Sequence, residues 1–260
     1  DLGILDNATV GTAGTVVRSD TDSAEQQVGY FTRLHDCDKQ EKQATFLDEI
    51  SGAENPDGIK RSYELSLSEF DSVPWTPLTY SVPSEIRELH CTKTRLDPDS
   101  ADLSSDTTGI ASVKTGVQTG NNPRFIRTHW ESPDSSSFKH FTKGGTESWV
   151  LPQVKLTVFW GDDGAEIKRL SSSRPQNTEY YFQEGLTWTY IKRTGRRFGV
   201  FPSGGIFDQK GPMIFPDDES IWTLLAVLNS DIYHALFLTL TPERGWNPSD
   251  VGRIPWHDFE

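Results

Sequence analysis

A run of amide- and guanidinium-bearing residues, Gln118-Thr119-Gly120-Asn121-Asn122-Pro123-Arg124, stands directly before an apolar stretch that opens at Phe125. Gln and Asn carry a carbonyl and an amino group side by side, so each can accept from and donate to an adenine edge at once. Arg can do the equivalent with guanine, or grip a phosphate. The run also fits an ordinary Gly-Asn turn whose side chains satisfy only its own backbone. Lys143-Gly144-Gly145 can bring backbone N–H groups and an ammonium against a phosphate, or simply close a hairpin. Lys192, Arg193, Arg196 and Arg197 fall within six residues, the most basic stretch of the chain. They are candidate phosphate contacts or a solvated turn. Phe207 to Phe215 reads as strand, turn and strand.

The overall charge is −13, with 25 Lys plus Arg against 38 Asp plus Glu. Nucleic-acid binders usually show a basic patch, because affinity comes largely from neutralised phosphates. Net charge therefore argues against DNA binding, while the spread of the acidic residues leaves room for a local basic patch. Acid-rich surfaces of this kind suit a protein of a salt-rich (halophilic) cytoplasm or an ordinary acidic protein. Apolar residues make up 34% and aromatics 11%, with eight Trp from Trp75 to Trp256. That content is expected of a folded protein and not of a disordered one. Cys37 and Cys91 match neither a disulfide framework nor a metal-ligand pattern, and suit a reducing cytoplasm. No run approaches the roughly 20 apolar residues that cross a bilayer, so no membrane partner is expected. The longest apolar stretch, Trp222 to Leu240, is broken by Asn229, Ser230, Asp231 and His234. The chain opens at Asp1 without Met and is expected to be a piece of a longer one.

The elements that must hold these residues are expected to be mixed, α+β and β-rich. Strands are expected near 8–18 and 28–34, then a helix near 38–50 that stops at Ser51-Gly52. Residues 51–60 read as a loop. Tyr63, Leu65 and Leu67 alternate with polar residues as in a half-buried strand, and a short helix near 83–90 turns Ile86 and Leu89 inward. Residues 91–108 read as a loop. Short strands follow at Arg124–Thr128, Val154–Trp160, Leu186–Arg193, Arg197–Phe201 and Ile206–Phe207. Most Trp sit within strand patterns and read as core. Helical spacing of Ile221, Leu224, Leu225, Leu228, Ile232 and Leu236 predicts one or two helices over 219–238, with Asp217-Asp218-Glu219 at the positive end. A soft boundary lies somewhere in 52–108. Asn229-Ser230 and Ile254-Pro255 are assigned core or helix-end roles by default.

In this order the motifs resemble the C-terminal half of adenine-specific DNA methyltransferases of the phage-growth-limitation and bacteriophage-exclusion (PglX, BREX) type, and of related single-chain restriction-modification enzymes. The family pattern Gly-Leu-Gln-Thr-Gly-Asp-Asn-x-Arg-Phe is met by Val117 to Phe125, and its Trp-Trp-Glu by His129-Trp130-Glu131. Departures are Val117 for Leu, Asn121-Asn122 for Asp-Asn and His129 for Trp. Lys-Gly-Gly is met by Lys143 to Gly145, and Asn-Trp-x-x-Asp-Gly-x-x-Ile by Phe159 to Ile167. Tyr-Phe-x-x-Gly-Ile-Thr-Trp is met by Tyr181 to Trp188, Phe-Asp-x-x-Gly-x-x-Ile-Phe by Phe207 to Phe215, and Leu-Asn-Ser by Leu228 to Ser230. Tyr30 to Leu34 and Trp75 to Tyr80 also fit. Each motif is short; their colinear order over nearly the whole chain is the signal.

The resemblance implies transfer of a methyl group from S-adenosylmethionine to N6 of a flipped adenine, in phage defence or restriction-modification. The family's Asn/Asp-Pro-Pro-Tyr/Phe motif is missing, since the chain has no Pro-Pro pair, and so is a Gly-rich cofactor turn followed by an acidic residue. Residues 1–55 are accordingly expected to be the edge of a Rossmann-like methyltransferase domain and 56–260 the DNA target-recognition region. No catalytic residue and no metal site is expected here. The isolated chain should neither bind S-adenosylmethionine nor methylate, which calorimetry with the cofactor tests. Expected partners are double-stranded DNA, the upstream methyltransferase domain and other phage-defence proteins. The resemblance nominates Gln118, Thr119, Asn121, Asn122, Arg124, Lys143 and Gly144 as DNA-facing; Gly120 joins them as the turn, and Arg193, Arg196 and Arg197 as the basic stretch. Two other readings are a carbohydrate-binding module using exposed aromatics and a specificity subunit that never belonged to an enzyme.

Overall fold

The computed structural model describes residues 13–17, 27–52, 57–100, 107–132, 136–144, 150–191, 197–241 and 245–257. These form two compact units, Asp1–Glu88 and Leu89–Glu260. The expected functional division at 55/56 falls inside the first unit. Helix and strand are mixed in both, as expected for α+β.

In the first unit, β1 (Val28–Thr32) pairs antiparallel with β2 (Ser62–Ser66), in register from Val28↔Ser66 to Thr32↔Ser62. Between them lies α1 (Lys42–Ser51), which ends where Gly52 adopts φ 73 and returns its N–H to Asp48 and Glu49. A left-handed residue here favours Gly, which has no Cβ to clash. Strand β2 runs into a 3-10 turn, Leu67–Ser72, fastened by reciprocal Ser66 and Glu69 bonds. Phe31 stacks on Tyr80 at 4.8 Å and meets Phe70 edge-on at 5.5 Å. Helix α2 (Ser84–Glu88) follows. Its buried side is set by Arg87, which donates to Glu69 at 2.6 Å. The expected inward pair Ile86 and Leu89 is only half buried, because an ion pair and not apolar spacing decides which face turns in. Residues 13–17 form no strand; the rest of the strand expected at 8–18 lies outside the described residues.

The second unit begins with β3 (Thr94–Arg95), parallel to β4 (Thr108–Gly109). This corrects the expected loop over 91–108. The segment is pinned by the distant C-terminal end, where Leu96 N–H bonds Ile254 and Asp97 N–H bonds Gly252, both at 3.0 Å. Next come β5 (Ala111–Lys114), α3 (Asn122–Phe125), β6 (Ile126–Thr128), β7 (Phe138–Thr142), β8 (Leu156–Phe159), α4 (Gly161–Lys168), β9 (Gly185–Trp188), β10 (Phe198–Phe201), β11 (Gly205–Phe207) and β12 (Met213–Pro216). One four-stranded sheet has the order β10-β9-β12-β5 and is antiparallel; the other runs β11-β7-β8-β6, with β11 parallel to β7. Both sheets feed one core. Phe141, Val158, Ile206 and Phe207 of the second sheet meet Phe201, Met213 and Phe215 of the first, together with Val117, Phe125, Trp160, Ile167 and Tyr181. Each such side chain contributes roughly 1.5–3 kcal/mol by leaving water.

The span expected to hold one or two helices holds two, α5 (Ile221–Leu228) and α6 (Asp231–Leu240), capped by Ser220 and Ser230. The first starts after the acidic triplet, because Ser220 takes the cap by accepting the Trp222 N–H. Short α7 (Pro248–Gly252) completes the order. Asn229 joins this layer to the sheet by bonding both backbone groups of Phe198, at 3.2 and 3.0 Å. The Leu-Asn-Ser motif is thus structural. Phe237 stacks on Trp246 at 4.2 Å. Trp160, Trp188, Trp246 and Trp256 are buried as expected, but Trp75, Trp130 and Trp222 are 54–67% exposed. No single described helix is long and apolar enough to cross a membrane.

Candidate functional site

The expected strand over Arg124–Thr128 is half helix. Pro123, whose missing N–H costs nothing in a first turn, starts α3, and the Asn121 side chain caps it by accepting the Arg124 N–H at 3.2 Å. Upstream, Val117 donates its N–H to Phe207 at 2.9 Å, and Gln209 donates to Val117 at 3.2 Å. Gln118 and Arg174 exchange backbone bonds of 3.0 and 2.8 Å. Gly120, at φ 72, makes the turn from this stalk into the helix. The amide run is therefore a rigid projection, anchored on both flanks by backbone pairing.

Beside it opens a cleft of about 400 Å³, lined by Gln118, Thr119, Gly120, Asn121, Asn122, Pro123, Lys143, Asp208, Gln209 and Lys210. Three sequence-distant segments meet there. Thr119 is buried and donates to Asn122 Oδ1 at 2.6 Å, which orients that amide. Gln118, Gln209 and Lys210 have no side-chain hydrogen bond or ion pair among the described residues. Their polar ends are free for a ligand. Lys143 comes within 3.7 Å of the buried Asp208 carboxylate, which also accepts the Lys210 N–H at 2.8 Å.

The nominated residues divide. Gln118, Thr119, Gly120, Asn121, Asn122 and Lys143 line the cleft. Arg124 does not; it is exposed and bonds Glu166 at 2.6 Å. Gly144 does not line it either. Its φ is 111, its N–H goes to Thr142 Oγ1 at 3.2 Å, and a Cβ there would lie 2.5 Å from the Trp188 carbonyl oxygen. Its role is close packing. Arg197 is 6% exposed and lies 3.8 Å over the Trp246 ring, where burial pushes its guanidinium down to about 10. It is a core cation. Gly145, Arg193 and Arg196 lie outside the described residues.

Asp208, Gln209, Lys210 and Arg174 are not among the residues nominated from the sequence. The first three are the polar centre of an otherwise apolar Phe207-to-Phe215 motif, and that contrast was the available signal. Arg174 has none, since its place beside Gln118 is a matter of tertiary pairing. Among the described residues no group of three or more His, Cys, Asp or Glu could hold a metal ion.

No protein-family model matches the chain. It is similar to the adenine-specific methyltransferase BrxX of Escherichia coli O9:H4 (strain HS), 28% identical over 160 residues, which are 56% of this chain and 13% of that protein. It is also similar to the adenine-specific methyltransferase PglX of Lacticaseibacillus casei (strain Zhang), 25% identical over 252 residues, 88% of this chain and 20% of that protein. The resemblance read from the colinear motifs therefore holds. The aligned part spans a fifth or less of either relative.

Proposed function

We propose that this chain is the DNA-recognition part of a site-specific adenine-N6 DNA methyltransferase serving phage defence or restriction-modification. In this reading residues 1–55 are the edge of the methyltransferase domain, 56–260 the target-recognition region, and double-stranded DNA the ligand of the cleft. The observation that carries it is the convergence of Gln118, Asn121 and Asn122 with Lys143 and Lys210 around one open cleft. Amides match the donor and acceptor pattern of adenine in the major groove, and ammonium groups match phosphates. On a chain of net charge −13 the cleft sets two cations, Lys143 and Lys210, beside one carboxylate, Asp208.

The similarity to adenine-specific methyltransferases supports the same reading. S-adenosylmethionine would be the methyl donor of the whole enzyme, but the cleft does not fit it. Among the described residues its lining has no aromatic ring to hold the adenine, and its carboxylate, Asp208, is already engaged by Lys143 and by the Lys210 N–H. No catalytic step is derived from these residues.

The test is to capture a randomised duplex pool with this chain from low to molar potassium chloride and sequence what is bound. A short asymmetric motif containing adenine is the expected enrichment. Binding lost steeply with salt, with no enrichment, would reduce the cleft to phosphate contacts. No binding at any salt would sink the proposal for this chain.

A further inference from the structure

The stalk of the amide projection is the middle of a three-segment ribbon. On one side Gln118 pairs antiparallel with Arg174 through two backbone bonds. On the other, Val117 pairs in parallel with Asp208, which places Gln209 beside Gln118 and Lys210 next to it, in the turn that the Gly211 N–H closes on the Asp208 carbonyl. Directly opposed residues of an antiparallel pair carry their side chains on the same face. Arg174 thus stands next to Gln118 on the face from which Gln118 lines the cleft.

Arg174 and Lys210 are both exposed, and neither forms an ion pair or side-chain hydrogen bond among the described residues. The neighbouring cations differ. Lys143 faces Asp208, Arg124 is held by Glu166, and Arg197 is in the core. Adjacent hydrogen-bonded segments lie about 4.8 Å apart, so the two flanks are separated by two spacings, roughly 10 Å. Long side chains on either flank extend this to about the 12 Å width of the B-DNA major groove.

We propose that Arg174 and Lys210 form a phosphate-contacting pair that straddles Gln118, one on each wall of the major groove, and so seats Gln118 against a base edge. The inference rests on the DNA reading above and adds to it which groups hold the backbone and which reads the sequence. Asp208 has a positioning part, because it fixes the backbone from which Lys210 extends.

The experiment measures binding of the full chain to its enriched duplex as a function of potassium chloride, for wild type, Arg174→Ala, Arg174→Lys, Lys210→Ala and Gln118→Ala. Each lost phosphate contact lowers the slope of log affinity against log salt by about 0.9. Arg174→Ala and Lys210→Ala should each show this fall with the enriched motif unchanged, and Arg174→Lys should restore the slope. Gln118→Ala should keep the slope and lose preference at one base position. Unchanged slopes in both alanine variants would overturn the clamp while leaving the DNA reading intact. A changed motif with Arg174→Ala would also overturn it, because Arg174 would then be reading a base. If the wild type captures no duplex at any salt, the DNA reading itself fails and the clamp with it. Arg174 and Lys210 are exposed, so matched melting curves establish that each variant is folded.

Discussion

Lys143 Nζ lies 3.7 Å from a carboxylate oxygen of Asp208, whose side chain is 6% exposed against 34% for the lysine. One buried carboxylate therefore organises two cleft cations, Lys143 through charge and Lys210 through its N–H. The Asp208 N–H in turn bonds Thr142 at 2.9 Å, and its carbonyl accepts from Gly211 at 3.1 Å. This residue is the joint between the turn after β11 and the end of β7.

Asp208→Ala should destabilise the second unit by about 1 kcal/mol, since the part-buried Lys210 N–H loses its acceptor. Asp208→Asn, which keeps an acceptor oxygen, should cost less. Urea unfolding of the two variants gives the comparison. Equal midpoints for wild type and Asp208→Ala would remove Asp208 from this role.

Gly211→Ala should be more damaging than its size suggests. The added Cβ would sit 2.0 Å from Gly144 N, a backbone atom that cannot rotate aside. A loss of about 3 kcal/mol is expected from such overpacking. Gly204→Ala is the control, since its Cβ meets nothing within 4 Å and only its φ of 88 is unfavourable; about 1 kcal/mol is expected there. Thermal melting that ranks the two in the opposite order would contradict the close approach of these segments.

Thr119→Val tests the internal order of the amide projection. It keeps the buried shape and deletes the 2.6 Å bond to Asn122, at a cost of about 1 kcal/mol. Duplex selection with this variant should yield a broader motif than wild type. An identical motif would mean that the orientation of Asn122 does not matter to recognition.

Acid should weaken the second unit through His90. Burial chiefly, then the charges of Arg95 and His257, lower its pKa from 6.5 to about 4. Thr239 Oγ1 already donates to Leu236, so the 2.7 Å contact to Thr239 is a donation from His90 Nε2. Among the described residues Nδ1 then has no partner, and a proton placed there would be buried unsatisfied. The unfolded chain binds this proton below pH 6.5 and the folded one only below about 4. Stability is therefore unaffected by His90 above pH 7, falls as pH drops from 6.5, and levels off below 4. The total loss is on the order of 3 kcal/mol. His90→Gln should flatten this part of the stability-versus-pH curve; an unchanged slope between pH 6.5 and 4 would exclude His90 as its source.

Local patterns were legible wherever neighbours in sequence determine structure. The spacing of Leu224, Leu225 and Leu228 and the Gly52 stop set helices whose hydrogen bonds close within four residues. The amide run, its turn at Gly120 and the resemblance to methyltransferases were also present in the chain alone. What required the tertiary structure were pairings across long separations: Leu96 with Ile254, Gln118 with Arg174, Val117 with Asp208. Burial of charge was equally hidden. Arg124 and Arg197 look alike in sequence, yet one lies on the surface beside Glu166 and the other under Trp246. Which cation is free for a ligand depends on where distant carboxylates and rings come to rest, and that is set by packing of the two sheets, not by spacing along the chain. The sequence thus determined which chemistry was available; the fold decided which side chains could present it together.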